Sequence, residues 1–253
     1  MSPMTQTSLR ARITALIDQS AYNASVVEHG AWLAERLGAR LQLRHLREAE
    51  ESVADAKALL ARAAERLADQ GAPTPDLSLV EGDLLAGAIS AEASLLVLGK
   101  RGAGSGEDRS ALGDHVEPIV RGLETPICLA SQVFLPIQRV LAITDANPAR
   151  RAALDLLARG QGLADLDLDA VVVARPGDDP ETKLAMARGA LDGRAATFAI
   201  HAESLGEALW RYLEDRPADL IVISRAVLLA EGERSLAASH GSLWAARASV
   251  IVC

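Results

Sequence analysis

At 253 residues, with 49% apolar and 24% charged side chains, the chain has the composition of a globular protein of one large or two ordinary domains. A net charge of −8 and an aromatic content of 3% argue against nucleic acid or an anionic membrane as partner, since both select for positive charge. Cys128 and Cys253 form neither a disulfide framework nor a metal-ligand set. No run reaches the ~18 apolar residues of a membrane span. The opening MSPMTQTSLRAR lacks the apolar centre of a secretion signal, so the expected compartment is the cytoplasm.

In chain order, residues 12–17 read as an apolar strand that ends at Asp18-Gln19-Ser20. A helix through Val26, Val27, Leu33 and Ala34 stops at Gly38. Residues 41–46 alternate as a second strand, 52–70 form a polar-faced helix closed by Gly71, and 77–80 give a third strand. A short helix over 84–91 leads to the apolar run Leu95-Leu96-Val97-Leu98. Strands alternating with helices at these lengths predict parallel βαβ units in a doubly wound sheet.

After the 133–138 linker, which carries Pro136, the pattern begins again. Arg12-Ile13-Thr14-Ala15-Leu16-Ile17-Asp18 is echoed by Arg139-Val140-Leu141-Ala142-Ile143-Thr144-Asp145. Ala93-Ser94-Leu95-Leu96-Val97-Leu98-Gly99 is echoed by Ala218-Asp219-Leu220-Ile221-Val222-Ile223-Ser224, and Gly113-Asp114 by Gly241-Ser242. These pairs lie about 125 residues apart, the mark of a tandem duplication. The expected domains are 1–135 and 136–253. The second is read as helix 149–159, strand 169–174, helix 181–191, strand 195–201, helix 205–214 and strand 219–224. A last helix after Gly241-Ser242 leads to a final strand at 249–252.

The stretch 95–131 organises the first half. Glycines at Gly99, Gly102, Gly104 and Gly106 follow a strand, and Gly113-Asp114 opens a helix whose apolar positions are Val116, Ile119, Val120 and Leu123. A glycine loop running into a helix N-terminus favours anions, because unpaired N–H groups and the helix dipole point the same way. Gly99, Gly102 and Gly113 resemble the Gly-x2-Gly-x9-Gly-Ser/Thr nucleotide-binding signature of the universal stress protein family, one residue longer between Gly102 and Gly113. Asp114 stands where that family has a hydroxyl, and a carboxylate there repels phosphate; Asp is also a good helix N-cap. The resemblance covers both halves. It implies two five-stranded doubly wound sheets of the adenine-nucleotide α-hydrolase-like kind, packed as a pseudo-dimer through paired last strands. It also implies a stress-response binding protein. ATP is the implied ligand, bound weakly in the first half through Asp18, Gly99, Gly102, Gly113 and Asp114. Protein partners and a homodimer of tandem chains are further expectations of this kind.

The bland readings stand beside these. Asp18 and Asp145, at equivalent strand ends, serve either as ligand contacts or as caps of the helices that follow. Lys100, Arg101 and Arg109 either hold an anion or are solvated charges that pair with Glu107 and Asp108. In the second half Ser224-Arg225-Ala226-Val227 lacks both glycines, and the apolar run 227–230 is expected to pack rather than to cradle phosphate. His45, His115, His201 and His240 do not cluster at metal-ligand spacing, so no metal is expected. The cysteines both fall on fifth strands, where pairing would bring the sulfurs near each other. No nucleophile with a base and an orienting partner can be assembled, so the chain reads as a binding module rather than an enzyme. A scaffold with closed pockets is the alternative, and a nucleotide-hydrolysing enzyme the weaker one.

Overall fold

The computed structural model describes residues 11–102, 112–113, 115–149, 151–159, 161–174, 177–201, 209, 212–230, 243–244 and 246–253. The first half runs β1 (Arg12–Ile17), α1 (Asn23–Arg36), β2 (Arg40–Arg47), α2 (Val53–Asp69), β3 (Asp76–Glu81), α3 (Leu84–Ile89), β4 (Leu95–Gly99), α4 (Val116–Gly122) and β5 (Ile127–Ala130). The second half opens with β6 (Arg139–Thr144), α5 (Ala152–Arg159), β7 (Asp167–Ala174) and α6 (Pro180–Ala190). It continues through β8 (Ala196–His201), β9 (Leu220–Ile223), a short α7 (Arg225–Leu228) and β10 (Ser249–Val252).

Local chemistry sets these boundaries. Gly38, at φ +60°, takes the left-handed turn that ends α1, and Gly71, at +75°, does the same after α2. Ser52 and Asp83 cap α2 and α3 by accepting the N–H of Asp55 and Ala86. Asp179 caps α6, with Pro180 in its first turn. Strand β7 begins two residues earlier than the expected 169–174, because Asp167 and Leu168 pair in register with Arg139 and Val140. Among the described residues two helical segments were not read from the sequence: a 3₁₀ turn at Gln161–Leu163 and α7.

The ten described strands join one sheet, in the order β3-β2-β1-β4-β5-β10-β9-β6-β7-β8. Each half is parallel, and the join is the antiparallel pair β5·β10, with Cys128 opposite Ile251. This is the expected pair of doubly wound sheets, fused into one. Burying both faces requires strands that are apolar throughout, which is why 95–98 and 220–223 are unbroken apolar runs. Alternate residues feed two layers that both cross the join. Ala15, Val97, Cys128, Ile251, Val222 and Ala142 lie on one face. Leu96, Leu129, Val250, Ile221 and Ile143 lie on the other. Helix α1 also touches the second half directly. A Cβ on Gly162 would lie 2.0 Å from Arg36 O, so only glycine fits there. Arg36 Nη1 donates to Gly162 O at 2.7 Å.

Candidate functional site

In an open parallel sheet a crevice forms beyond the carboxyl ends of the strands where the strand order reverses. The order reverses between β1 and β4 in the first half and between β6 and β9 in the second. The strand-end residues Asp18 and Gly99, and Asp145 and Ser224, therefore flank the two crevices.

In the first half Asp18 Oδ1 accepts the Ser20 N–H at 3.0 Å, a local turn that fixes the carboxylate over the crevice. Gly102 faces it: a Cβ there would lie 3.5 Å from Asp18 Oδ2. Gly99 serves a different need. A Cβ on it would meet Tyr22 Cβ at 2.7 Å and Arg101 O at 2.9 Å, so its missing side chain makes room for Tyr22. Gly113 is buried, and its N–H donates to Lys100 O at 2.9 Å. That donor closes the loop on itself. Helix α4 starts at Val116 and spans seven residues, so the expected helix opening at Gly113-Asp114 is displaced. Asp114, Arg109, Glu107, Asp108, His240 and Gly241-Ser242 lie outside the described residues.

Lys100 corrects both of its sequence readings, since it is neither solvated nor turned toward the crevice. It is 2% exposed. Its Nζ donates to the carbonyl oxygens of Trp244 at 3.2 Å, Ala246 at 2.9 Å and Ala248 at 2.8 Å, all in the second half. Burial drives its pKa down to about 7, and the neighbouring Arg101 pushes the same way. Three acceptors match the three N–H groups of an ammonium, and so let a cation sit in an apolar layer. Arg225 is its counterpart, one residue past β9. Its Nη2 donates at 2.9 Å to the Thr125 carbonyl, just ahead of β5. Burial also lowers the Arg225 pKa, and its Nε and Nη1 have no hydrogen-bond partner among the described residues. Lys100 and Arg225 thus reach across the join from opposite sides, as Arg36 does from α1.

His29 was not singled out in the sequence, although it falls on the buried stripe of α1 with Ser25, Val26 and Leu33. Its Nδ1 lies 2.7 Å from the Ser25 carbonyl and its Nε2 2.6 Å from Ser249 Oγ. A proton on Nδ1 donates to that carbonyl, leaving Nε2 to accept from the Ser249 hydroxyl. Ser249 Oγ in turn accepts the Ser131 N–H at 3.0 Å, which ties α1, β10 and the segment after β5 together. Burial lowers the His29 pKa to about 4, against the opposing pull of the Ser25 carbonyl. His45 is also buried, with Nδ1 2.8 Å from the Ile17 carbonyl and Nε2 2.7 Å from Glu51. The cysteines carry free thiols: Cys128 faces Ile251, Cys253 lies one residue past β10, and burial raises both pKa values to about 12. Thiols so protonated are poor nucleophiles. Among the described residues no three His, Cys, Asp or Glu side chains group as metal ligands, and no helix is long and apolar enough to cross a membrane.

The second crevice is built otherwise. Asp145 is 4% exposed, and its Oδ1 accepts the Asn147 N–H at 3.2 Å. The Asp145 carbonyl accepts from Lys183 Nζ at 2.7 Å. In place of a glycine loop the chain turns at Ser224 directly into α7, whose Val227 and Leu228 are buried in the same apolar layer as Trp244. A cavity of about 310 Å³ remains to one side, lined by Asn147, Thr182 and Lys183 among others.

No protein-family model matches the chain. It is 30% identical over 141 residues to the universal stress protein Slr1230 of Synechocystis sp. (strain ATCC 27184 / PCC 6803 / Kazusa), across 53% of this chain and 48% of that protein. The chain thus spans about half the length of the curated relative it matches. A universal stress protein from Archaeoglobus fulgidus DSM 4304 superposes with a TM-score of 0.70 at 14% identity, covering 96% of this chain and 97% of the other. A putative universal stress protein from Pseudomonas aeruginosa UCBPP-PA14 gives a TM-score of 0.64 at 16% identity, covering 96% and 92%. The fold is that of the universal stress proteins along the described length, and the resemblance to their family extends to sequence.

Proposed function

We propose that this chain, similar to universal stress proteins in sequence and fold, is a non-catalytic binding module that takes an adenine nucleotide in its first half. One observation carries the reading. Asp18 and Gly102, from separate strand ends, come face to face at the first point of strand-order reversal, with the Gly102 Cβ position 3.5 Å from Asp18 Oδ2. A carboxylate at that place suits ribose hydroxyls, which donate hydrogen bonds, and a glycine opposite lets a ligand approach the backbone. The reading as a binder rather than an enzyme is supported by the burial of the Ser249–His29 pair. Its spacing suits a nucleophile and base, but the two residues are 1% and 2% exposed, out of reach of substrate.

The test is isothermal titration with ATP–Mg²⁺ of the wild type, Asp114→Ser and Asp18→Ala. Weak binding by the wild type, tightened by Asp114→Ser and lost in Asp18→Ala, is the expected result. Silence in both the wild type and Asp114→Ser overturns the reading in favour of a scaffold. The burial of Val227 and Leu228, where the first half has its glycines, is the observation that favours that alternative.

A further inference from the structure

We infer that the amino edge of the second-half sheet, at the start of β6 and β7, binds a small organic carboxylate with an apolar body. The place is distinct from both crevices. Arg139 begins β6 and Asp145 follows its end, roughly 20 Å away along an extended strand.

A cavity of about 490 Å³ lies at this edge. That is within the roughly 300–1,000 Å³ usual for small-molecule sites. Val140, Leu166 and Leu168 are buried and supply the apolar part of its lining. Tyr212 also lines it, and its hydroxyl donates to Asp169 Oδ2. Burial raises the Tyr212 pKa and the Asp169 carboxylate pushes the same way, so the phenol keeps its proton.

The charged lining sets the sign of the ligand. Arg139, Arg194 and Arg216 share it with Asp167 and Asp169, one positive charge in excess on a chain whose net charge is −8. Asp169 is already engaged by two donors, the Tyr212 hydroxyl and Arg216 Nη1 at 3.4 Å. Asp219, at the same edge, turns Oδ2 to the backbone N–H groups of Gln138 and Arg139, each at 2.9 Å.

Two guanidinium groups keep donors to offer. Arg194 gives Nη2 to the Leu157 carbonyl at 3.1 Å, an anchor that holds the group in place and leaves its other nitrogens. The Arg139 guanidinium has no hydrogen-bond or ion-pair partner among the described residues. A guanidinium fork matches a carboxylate with two parallel hydrogen bonds. One excess charge suits a carboxylate better than a phosphate monoester, which carries about −1.5 to −2 at neutral pH. The surplus would be set against Asp167, the register partner of Arg139.

Calorimetric titration of the full chain with naphthoate tests the inference. Naphthylmethylamine, naphthylmethanol and naphthyl phosphate serve as the matched cation, neutral and doubly charged probes. Naphthoate should bind with a Kd on the order of a millimolar, as its size allows. The alcohol and the phosphate should bind several-fold more weakly, and the amine not at all. Arg139→Gln, at an exposed position, and Arg194→Gln should each weaken naphthoate about fivefold or more. Arg62→Gln, on the exposed face of α2, should leave it unchanged. Equal affinity for naphthoate and its alcohol, or indifference to both Arg139→Gln and Arg194→Gln, overturns the site, as does silence at about 10 mM. Tighter binding of the phosphate overturns the choice of a carboxylate.

Discussion

At the end of β4 the chain turns through Gly99 and Gly102 toward Asp18; at the end of β9 the equivalent residues are Ser224 and Val227, and the chain coils at once into α7. The strands beneath are alike in length, pairing and burial. Side chains at former glycine positions account for the difference. Ser224 caps a helical turn by its backbone geometry, and Val227 and Leu228 then bury against Trp244. The residues after β9 thus join the core, while a cavity of about 310 Å³ stays open beside Asn147 and Lys183. Cores accept such residues because filling space with an apolar side chain stabilises by about 1.5–3 kcal/mol when burial is complete. The cross-join cations differ in the same sense. Among the described residues Lys100 makes three hydrogen bonds across the join, whereas Arg225 makes one and leaves two buried nitrogens unpaired.

That asymmetry sets the largest expected effect. Lys100→Met keeps most of the volume but strips three carbonyls of their donor, and should cost about 3–5 kcal/mol in urea unfolding. Arg225→Met should cost about 1 kcal/mol, since it also removes two unpaired nitrogens. Equal losses from the two would mean that the halves clamp each other symmetrically.

The second prediction concerns pH. His29 titrates near 6.5 in the unfolded chain and near 4 in the folded one. Between those values the unfolded chain binds a proton that the folded chain refuses. The His29 contribution is therefore intact above pH 6.5, falls as the pH drops toward 4, and is level below that. The window is worth about 3 kcal/mol. In His29→Gln the stability–pH curve should lose this slope, and a curve as steep as that of the wild type would show that the slope belongs to other groups.

The third prediction separates two glycines that look alike in sequence. Gly99→Ala forces a Cβ to within 2.7 Å of Tyr22 and should cost about 1–3 kcal/mol. Gly102→Ala meets only ordinary contact at 3.5 Å and should leave stability within about 0.5 kcal/mol of the wild type. Its effect should appear in adenine-nucleotide affinity, as a several-fold loss read by calorimetry. Unchanged affinity in Gly102→Ala would remove Gly102 from the site.

The strand periodicity and the echo of 12–18 in 139–145 were enough to predict ten strands in two equivalent sets, because hydrophobic pattern and turn residues act over a few neighbours along the chain. The pairing of β5 with β10 followed from the family resemblance rather than from any residue, since nothing local encodes which strand edge meets which. Asp18 and Gly102 could be named from sequence as separate candidates; their confrontation across the crevice could not. Lys100 shows the limit most clearly. Its neighbours Gly99, Arg101 and Gly102 mark a polar loop, and a lysine there reads as solvated. The three carbonyls that hold it belong to residues more than 140 positions away, and only folding brings them within 3.2 Å. His29 is the same lesson in a helix: it was not singled out from sequence, and its partner Ser249 lies on the last strand. Patterns along the chain determined the elements and the candidate loop. Tertiary packing decided which polar groups were available to a ligand, because a hydrogen bond made across the join is a donor or acceptor withdrawn from the crevice.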